Sequence, residues 1–189
     1  MYKKLIITLM AACITISIHA QTVFSTLESW KTGNVGFPAV QLDFVDGWRC
    51  PDSLAHAYGF VLGGTPERQL FKSTDKHGGT YAARVVTKEQ GMLGNVAGVL
   101  TNAVINLDIV NQDFTLTGGT PIYGRVYYVN AWVKYNPQGG DSAFVAVSAL
   151  KVGAGAGGAD SILGEGVHTI TAASLTRSSM YLSLMKLRH

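Results

Sequence analysis

Residues 122–135 contain no proline, and β-branched and aromatic side chains dominate them, which is the composition of a strand. Pro137 cannot donate to a sheet ladder and ends the run, and Gly139-Gly140 supplies a turn. A second apolar run follows at once over residues 143–150. The pattern predicts that these two runs pair as a hairpin at the heart of the fold.

Elsewhere the apolar spacing is shorter. Residues 21–38 carry Trp30, Gly33, Gly36 and Pro38 without a clear period and read as an irregular lead-in. Val40, Leu42 and Phe44 alternate with Gln41 and Asp43, which predicts a half-buried strand. Asp46-Gly47 turns the chain ahead of Trp48. Residues 56–62 suggest a second strand, closed by Gly63-Gly64-Thr65-Pro66, and Leu70 with Phe71 a short third. Residues 81–87 read as another strand after Gly78-Gly79. Residues 95–109 are long enough for two, with a break near Thr101-Asn102. Alternation returns over residues 165–172 and is then lost. The tail, residues 173–189, reads as a small helix or as a chain end outside the fold.

The sum is about eight or nine short strands with turns at regular spacing, an all-β sandwich or barrel. No repeat and no alternation with helices points to a doubly wound sheet.

Composition agrees. The chain has 189 residues, enough for one domain with a core. Only 14% of them are charged and 22 are glycine, which suits a turn-rich extracellular β-protein. Residues 1–20 read as a secretory signal peptide: Lys3 and Lys4, then an apolar run over residues 5–18, then Ala20 before Gln21. A lipid anchor at Cys13 is the rival reading, with too short an apolar run ahead of the cysteine. Without Lys3 and Lys4 the 15 basic residues fall to 13 against 12 acidic ones. No basic stripe remains, so nucleic acid is not an expected partner. Once Cys13 leaves with the signal, Cys50 is alone, and it reads as a small buried apolar residue beside Trp48.

Familiar catalytic signatures are missing. Gly153-Ala154-Gly155-Ala156-Gly157-Gly158 fits a dinucleotide fingerprint in spelling, but no helix can follow it, so it reads as a loop. No nucleophile elbow and no histidine pair at zinc spacing occurs. Carboxylates are available, yet no spacing singles out an acid and a base.

Several segments carry a resemblance. They are Asp46-Gly47-Trp48, residues 73–84, residues 95–103, Gly118-Gly119-Thr120-Pro121, Gly124-Arg125, Lys134-Tyr135-Asn136-Pro137 and Gly140-Asp141-Ser142-Ala143. Together they resemble the carbohydrate metabolism domain family abbreviated PCMD, over roughly residues 40–152. This family comprises secreted proteins of glycan-degrading bacteria, with a jelly roll similar to carbohydrate-binding modules and no firmly assigned activity. The resemblance implies a jelly-roll β-sandwich over residues 39–172. Two departures stand out. Val126 occupies a position where members usually carry proline, and nothing after Ala172 matches their closing strand. The expectation is that this strand is missing or replaced.

A carbohydrate site would use aromatic faces for the apolar side of sugar rings and polar side chains for the hydroxyls. Alternation puts Arg125, Tyr127 and Tyr135 on one face of the central strand, and Tyr128, Trp132 and Lys134 on the other. One set must be core, and Trp132 is assigned to it. Trp48, Tyr58, Arg125 and Tyr135 are the expected ligand contacts. Asp43 and Asp141 could offer oxygen ligands to calcium, although Asp141 reads better as a turn cap. The leading expectation is non-catalytic binding of a polysaccharide or oligosaccharide, in the periplasm or at the outer cell surface. A structural or adhesion module with a cell-surface protein partner is the second, and a glycoside hydrolase the third.

Overall fold

A computed structural model describes residues 26–59, 63–91, 94–108, 111, 113–122, 128–155, 158, 160–171, 174–181 and 183–184. The signal peptide reading, the Cys13 alternative and Arg125 lie outside these residues. The described chain is all-β apart from one short helix, and every strand pair in it is antiparallel.

The first sheet is a hairpin. Strand β1 (Trp30–Val35) pairs along its whole length with β2 (Val40–Val45). This corrects the expectation of an irregular lead-in: Gly33 interrupts the apolar pattern of β1, but its missing side chain leaves room for the Phe44 ring beside it. Gly36 begins the turn with φ of 81°, and a side chain there would collide with the His56 carbonyl.

After β2 the chain forms helix α1 (Asp52–Ala57) where a strand was expected to begin at residue 56, and residues 60–62 of that expected strand lie outside the described residues. Pro51 pre-sets the first turn, Asp52 places a negative charge there, and Leu54, Ala55 and Ala57 favour helix. The helix touches both β1 and β2. Strand β3 (Leu70–Ser73) approaches β2 as well and pairs with β4 (Ala82–Val85). Coverage from two sides explains why β2 buries both Leu42 and Val45, residues of opposite parity, instead of the single face that alternation suggests. Val45, Cys50 and Leu70 form the buried cluster, with Leu27, Trp30, Trp48, Ala83 and Leu100 packed around it.

Two short pairs follow: β5 (Lys88–Glu89) with β6 (Asn95–Val96), and β7 (Val104–Asp108) with β8 (Asp113–Thr117). The break expected near Thr101 is an isolated bridge between Thr101 and Arg49.

The central hairpin does not form. Strands β9 (Tyr128–Tyr135) and β10 (Ala143–Lys151) exist where the pattern puts them, but they enter different sheets. β10 pairs with β11 (Ser161–Ile170) through a bulge at Ala149/Leu150. β9 pairs over all eight residues with β12 (Ser174–Tyr181). The glycine turn therefore carries the chain from one sheet to another. The tail is corrected by the same pairing. Residues 174–181 are strand, neither helix nor loose end, and the rest of the tail beyond residues 183–184 lies outside the described residues. A last two-residue strand, β13 (Ser183–Leu184), returns to β11. Thirteen strands are thus described against the eight or nine expected, the surplus including two-residue pairs too short to show a period. The sheets among the described residues are small, one of three strands and the others of two.

Candidate functional site

The turn that ends β2 wraps a cavity of about 520 Å³. Residues 43–50 supply most of its wall, joined by Lys31 from β1, Asp52 and Ser53 from α1, and Leu70 from β3. Sequence dictates this arrangement locally. Gly47, with φ of 79°, lets the chain reverse after Asp46. The chain is then caught by the bridge to Thr101, with Arg49 N–H donating to the Thr101 carbonyl at 2.6 Å and Thr101 N–H returning the bond at 2.9 Å. Trp48 lies between these two fixed points, packed against Val45, Cys50 and Leu70. Its indole Nε1 is buried and finds no hydrogen-bond partner.

The charges around the cavity are largely matched. Asp46 pairs with Lys31 at 2.6 Å and accepts from the Ser29 hydroxyl at 2.5 Å. These two donors hold its carboxyl below the usual range. Asp43 Oδ2 accepts from Arg68 Nη2 at 2.8 Å and from the Lys72 N–H at 3.2 Å. Asp52 is buried, and its two oxygens accept the N–H groups of Gln69 and Leu70 at 2.7 and 2.8 Å. Burial pushes its carboxyl up, and those N–H bonds only partly offset that. Its carbonyl accepts from His56 Nδ1 at 2.8 Å, which places the ring proton on that nitrogen. The Cys50 thiol is pushed up to about 12 by burial, so it is inert as a nucleophile at neutral pH.

Of the expected ligand contacts, the cavity gathers Trp48 and, from the expected metal pair, Asp43. Tyr58 is elsewhere, exposed at the C-terminal end of α1. Tyr135 ends β9 and donates its hydroxyl to Asp141 Oδ1 at 2.6 Å. Lost hydration, then this bond, push the Tyr135 hydroxyl up to about 12. Asp141 also accepts the Gln138 N–H at 2.7 Å, so it caps the turn. Asp43 and Asp141 thus have separate partners. Among the described residues no group of three or more His, Cys, Asp or Glu gathers to hold a metal.

A second aromatic feature lies on β9. Trp132, expected in the core, is half exposed, and the His77 ring stacks on it at 3.5 Å and 9°. Alternation establishes that Trp132 and Tyr135 face opposite ways, but not which way is in. Lys134 reaches Asp75 at 2.5 Å on the same side. Residues 74–80 of the β3–β4 loop are therefore held to β9 by these contacts and to Glu28, which accepts the Thr80 N–H at 2.9 Å. The described part of the glycine run, residues 153–155 and 158, lies between β10 and β11, where Gly153 N–H donates to Asp160 at 3.1 Å.

Sequence reasoning missed Arg49, Lys31 and Ser53 as cavity residues. Adjacency to Trp48 after a tight turn was a usable signal for Arg49. The described residues are thus those of a β-rich protein with a cavity beside Trp48. No protein-family model matches the chain, and no curated protein or solved structure matches it either.

Proposed function

We propose that the protein is a secreted, non-catalytic carbohydrate-binding module of jelly-roll type, acting in glycan capture in the periplasm or at the outer cell surface. The observation that carries this reading is the cavity at the end of β2, whose 520 Å³ and Trp48 wall suit a short stretch of saccharide. The resemblance to PCMD proteins supports the same setting. Consecutive strands β9 and β10 that pair into different sheets fit the crossing connections of a jelly roll. Calcium has no part in the proposal, because Asp43 and Asp141 already serve protein donors.

Binding is favoured over hydrolysis because every carboxylate in the cavity wall is engaged. A glycosidase needs two carboxyls free to reach the scissile bond. One observation favours a second reading, attachment to a protein partner: Phe144 and Val167 are 66% and 68% exposed on one face of β10 and β11.

Thermal melting with soluble polysaccharides separates the two. A ligand present at about a hundred times its Kd adds roughly 2.7 kcal/mol, so one glycan class raises the Tm, and Trp48→Ala removes the rise. A Tm that no glycan moves defeats the carbohydrate reading and favours the protein partner.

A further inference from the structure

The groups that the Trp48 cavity leaves free differ in kind from those it has used. Its acceptors are mostly taken: Asp46 by Lys31 and Ser29, Asp43 Oδ2 by Arg68 and the Lys72 N–H, and both oxygens of Asp52 by backbone N–H groups. Arg49 is the contrast. Its side chain makes one bond, from Nη1 to the Trp48 carbonyl at 3.1 Å, and no carboxylate pairs with it among the described residues. A guanidinium carries five N–H donors and no acceptor, so most of this donor fork is open.

The charge sits on an anchored base. The Arg49 backbone is bonded in both directions to Thr101, and its neighbours Trp48 and Cys50 pack into the core. Lys31, the other cation of the wall, is committed to Asp46. Arg68 is committed to Asp43. Asp52, the third carboxylate of the wall, is 3% exposed. Arg49 thus gives the cavity wall an exposed cation with no carboxylate partner among the described residues, and its planar fork is the geometry that grips a carboxylate through two parallel bonds.

We propose that the cavity selects a carboxylate-bearing sugar, a uronic acid unit, with Arg49 on the carboxylate and the Trp48 indole against the ring. This rests on the carbohydrate reading above and adds the charge of the ligand to it. A neutral sugar hydroxyl brings no opposite charge to the fork, whereas a carboxylate brings one and accepts two parallel bonds. Arg49→Gln leaves the fold intact, because the side chain is exposed and the anchoring bonds are made by its backbone.

The test uses short oligomers of galacturonate, glucuronate and mannuronate, each beside its methyl ester, which keeps the ring and removes the charge. Neutral polysaccharides are included, and binding is followed by calorimetry at low and high salt. The expected result is a preference of about tenfold or more for one acid over its ester. The preference falls with salt and disappears in Arg49→Gln, while a melt of that variant matches the parent. An ester bound as tightly as its acid, or a preference that survives Arg49→Gln, overturns the assignment of the charge and leaves carbohydrate binding standing. Binding of neutral glycans alone has the same meaning. No binding to any saccharide overturns both.

Discussion

The segment from β1 to β4 and the hairpin of β10 with β11 show two ways of using apolar sequence. In the first, short and irregular elements close around β2. Leu42, Val45 and Leu70 disappear from solvent, and Asp52, His56 and Gln69 are buried with them. In the second, alternation is nearly perfect over nine and ten residues, and yet the outward positions Phe144 and Val167 stay exposed. The inward positions Val145 and Val147 are only half-buried, and Ile170 at the strand end is the large side chain there that is fully covered. Regular patterning makes a strand. It takes a second layer to make a core, and around β2 that layer comes from α1 and β3.

The contrast is open to direct measurement, and the largest effect belongs to the core. Leu42 is 0% exposed, so Leu42→Ala costs about 3–4 kcal/mol in denaturant unfolding, whereas Val167→Ala costs no more than about 0.5 kcal/mol. Equal losses at the two positions would dissolve the distinction between the regions.

Buried polar groups come next. Asp52→Asn keeps one acceptor oxygen but turns an amide N–H₂ toward a backbone N–H, and the expected loss is about 2 kcal/mol. A stability unchanged by this substitution would mean that the Gln69 and Leu70 amides need no charged partner. Asp52 also has a pH signature. Because its carboxyl is raised in the fold, its share of stability is intact below the ordinary carboxylate range and declines as pH climbs through the raised value. Asp52→Asn should abolish that decline.

The smallest effect is in the β3–β4 loop, which Glu28 holds. The Thr80 and Tyr81 N–H groups hold the Glu28 carboxyl below its usual value. Its contribution is therefore full above the ordinary glutamate range and lost as pH falls through the lowered one, opposite in sign to that of Asp52. The amide signal of Thr80, followed by NMR on acidification, should move with a midpoint below that of a free glutamate, and Glu28→Gln should silence it. A Thr80 signal that titrates the same way in Glu28→Gln would remove Glu28 as the anchor of this loop.

What the sequence made legible divides along the same line. β2 and the later part of β11 follow from period-two alternation, and β3, β4, β7, β9 and β10 from apolar, β-branched or aromatic runs between turn residues, all of which act locally. The partner of β9 does not, because a run of apolar residues states that it will pair and not with what; residues 136–142 turn as readily between sheets as within one. α1 was hidden by its length, since six residues show less than two helical turns of periodicity. β12 was hidden because Arg177, Ser178 and Ser179 break the apolar pattern, while the backbone ladder they make with β9 is indifferent to side chains. Trp48 could be singled out by its place after a tight turn. Arg49 becomes informative only once every neighbouring charge is seen to have a partner.

The union of β9 with β12 has a consequence for the order in which the chain folds. Tyr128 meets Tyr181, so the ladder encloses the whole of β10 and β11. The inner pair closes over a short loop and can assemble early. The outer one must wait until a long loop has been drawn in, at an entropic cost that later contacts have to recover. Until then β9 remains a bare strand carrying an indole in the open, with free backbone groups along its edge. The hazard of clumping is greatest in that interval, and the pairing of β12 ends it.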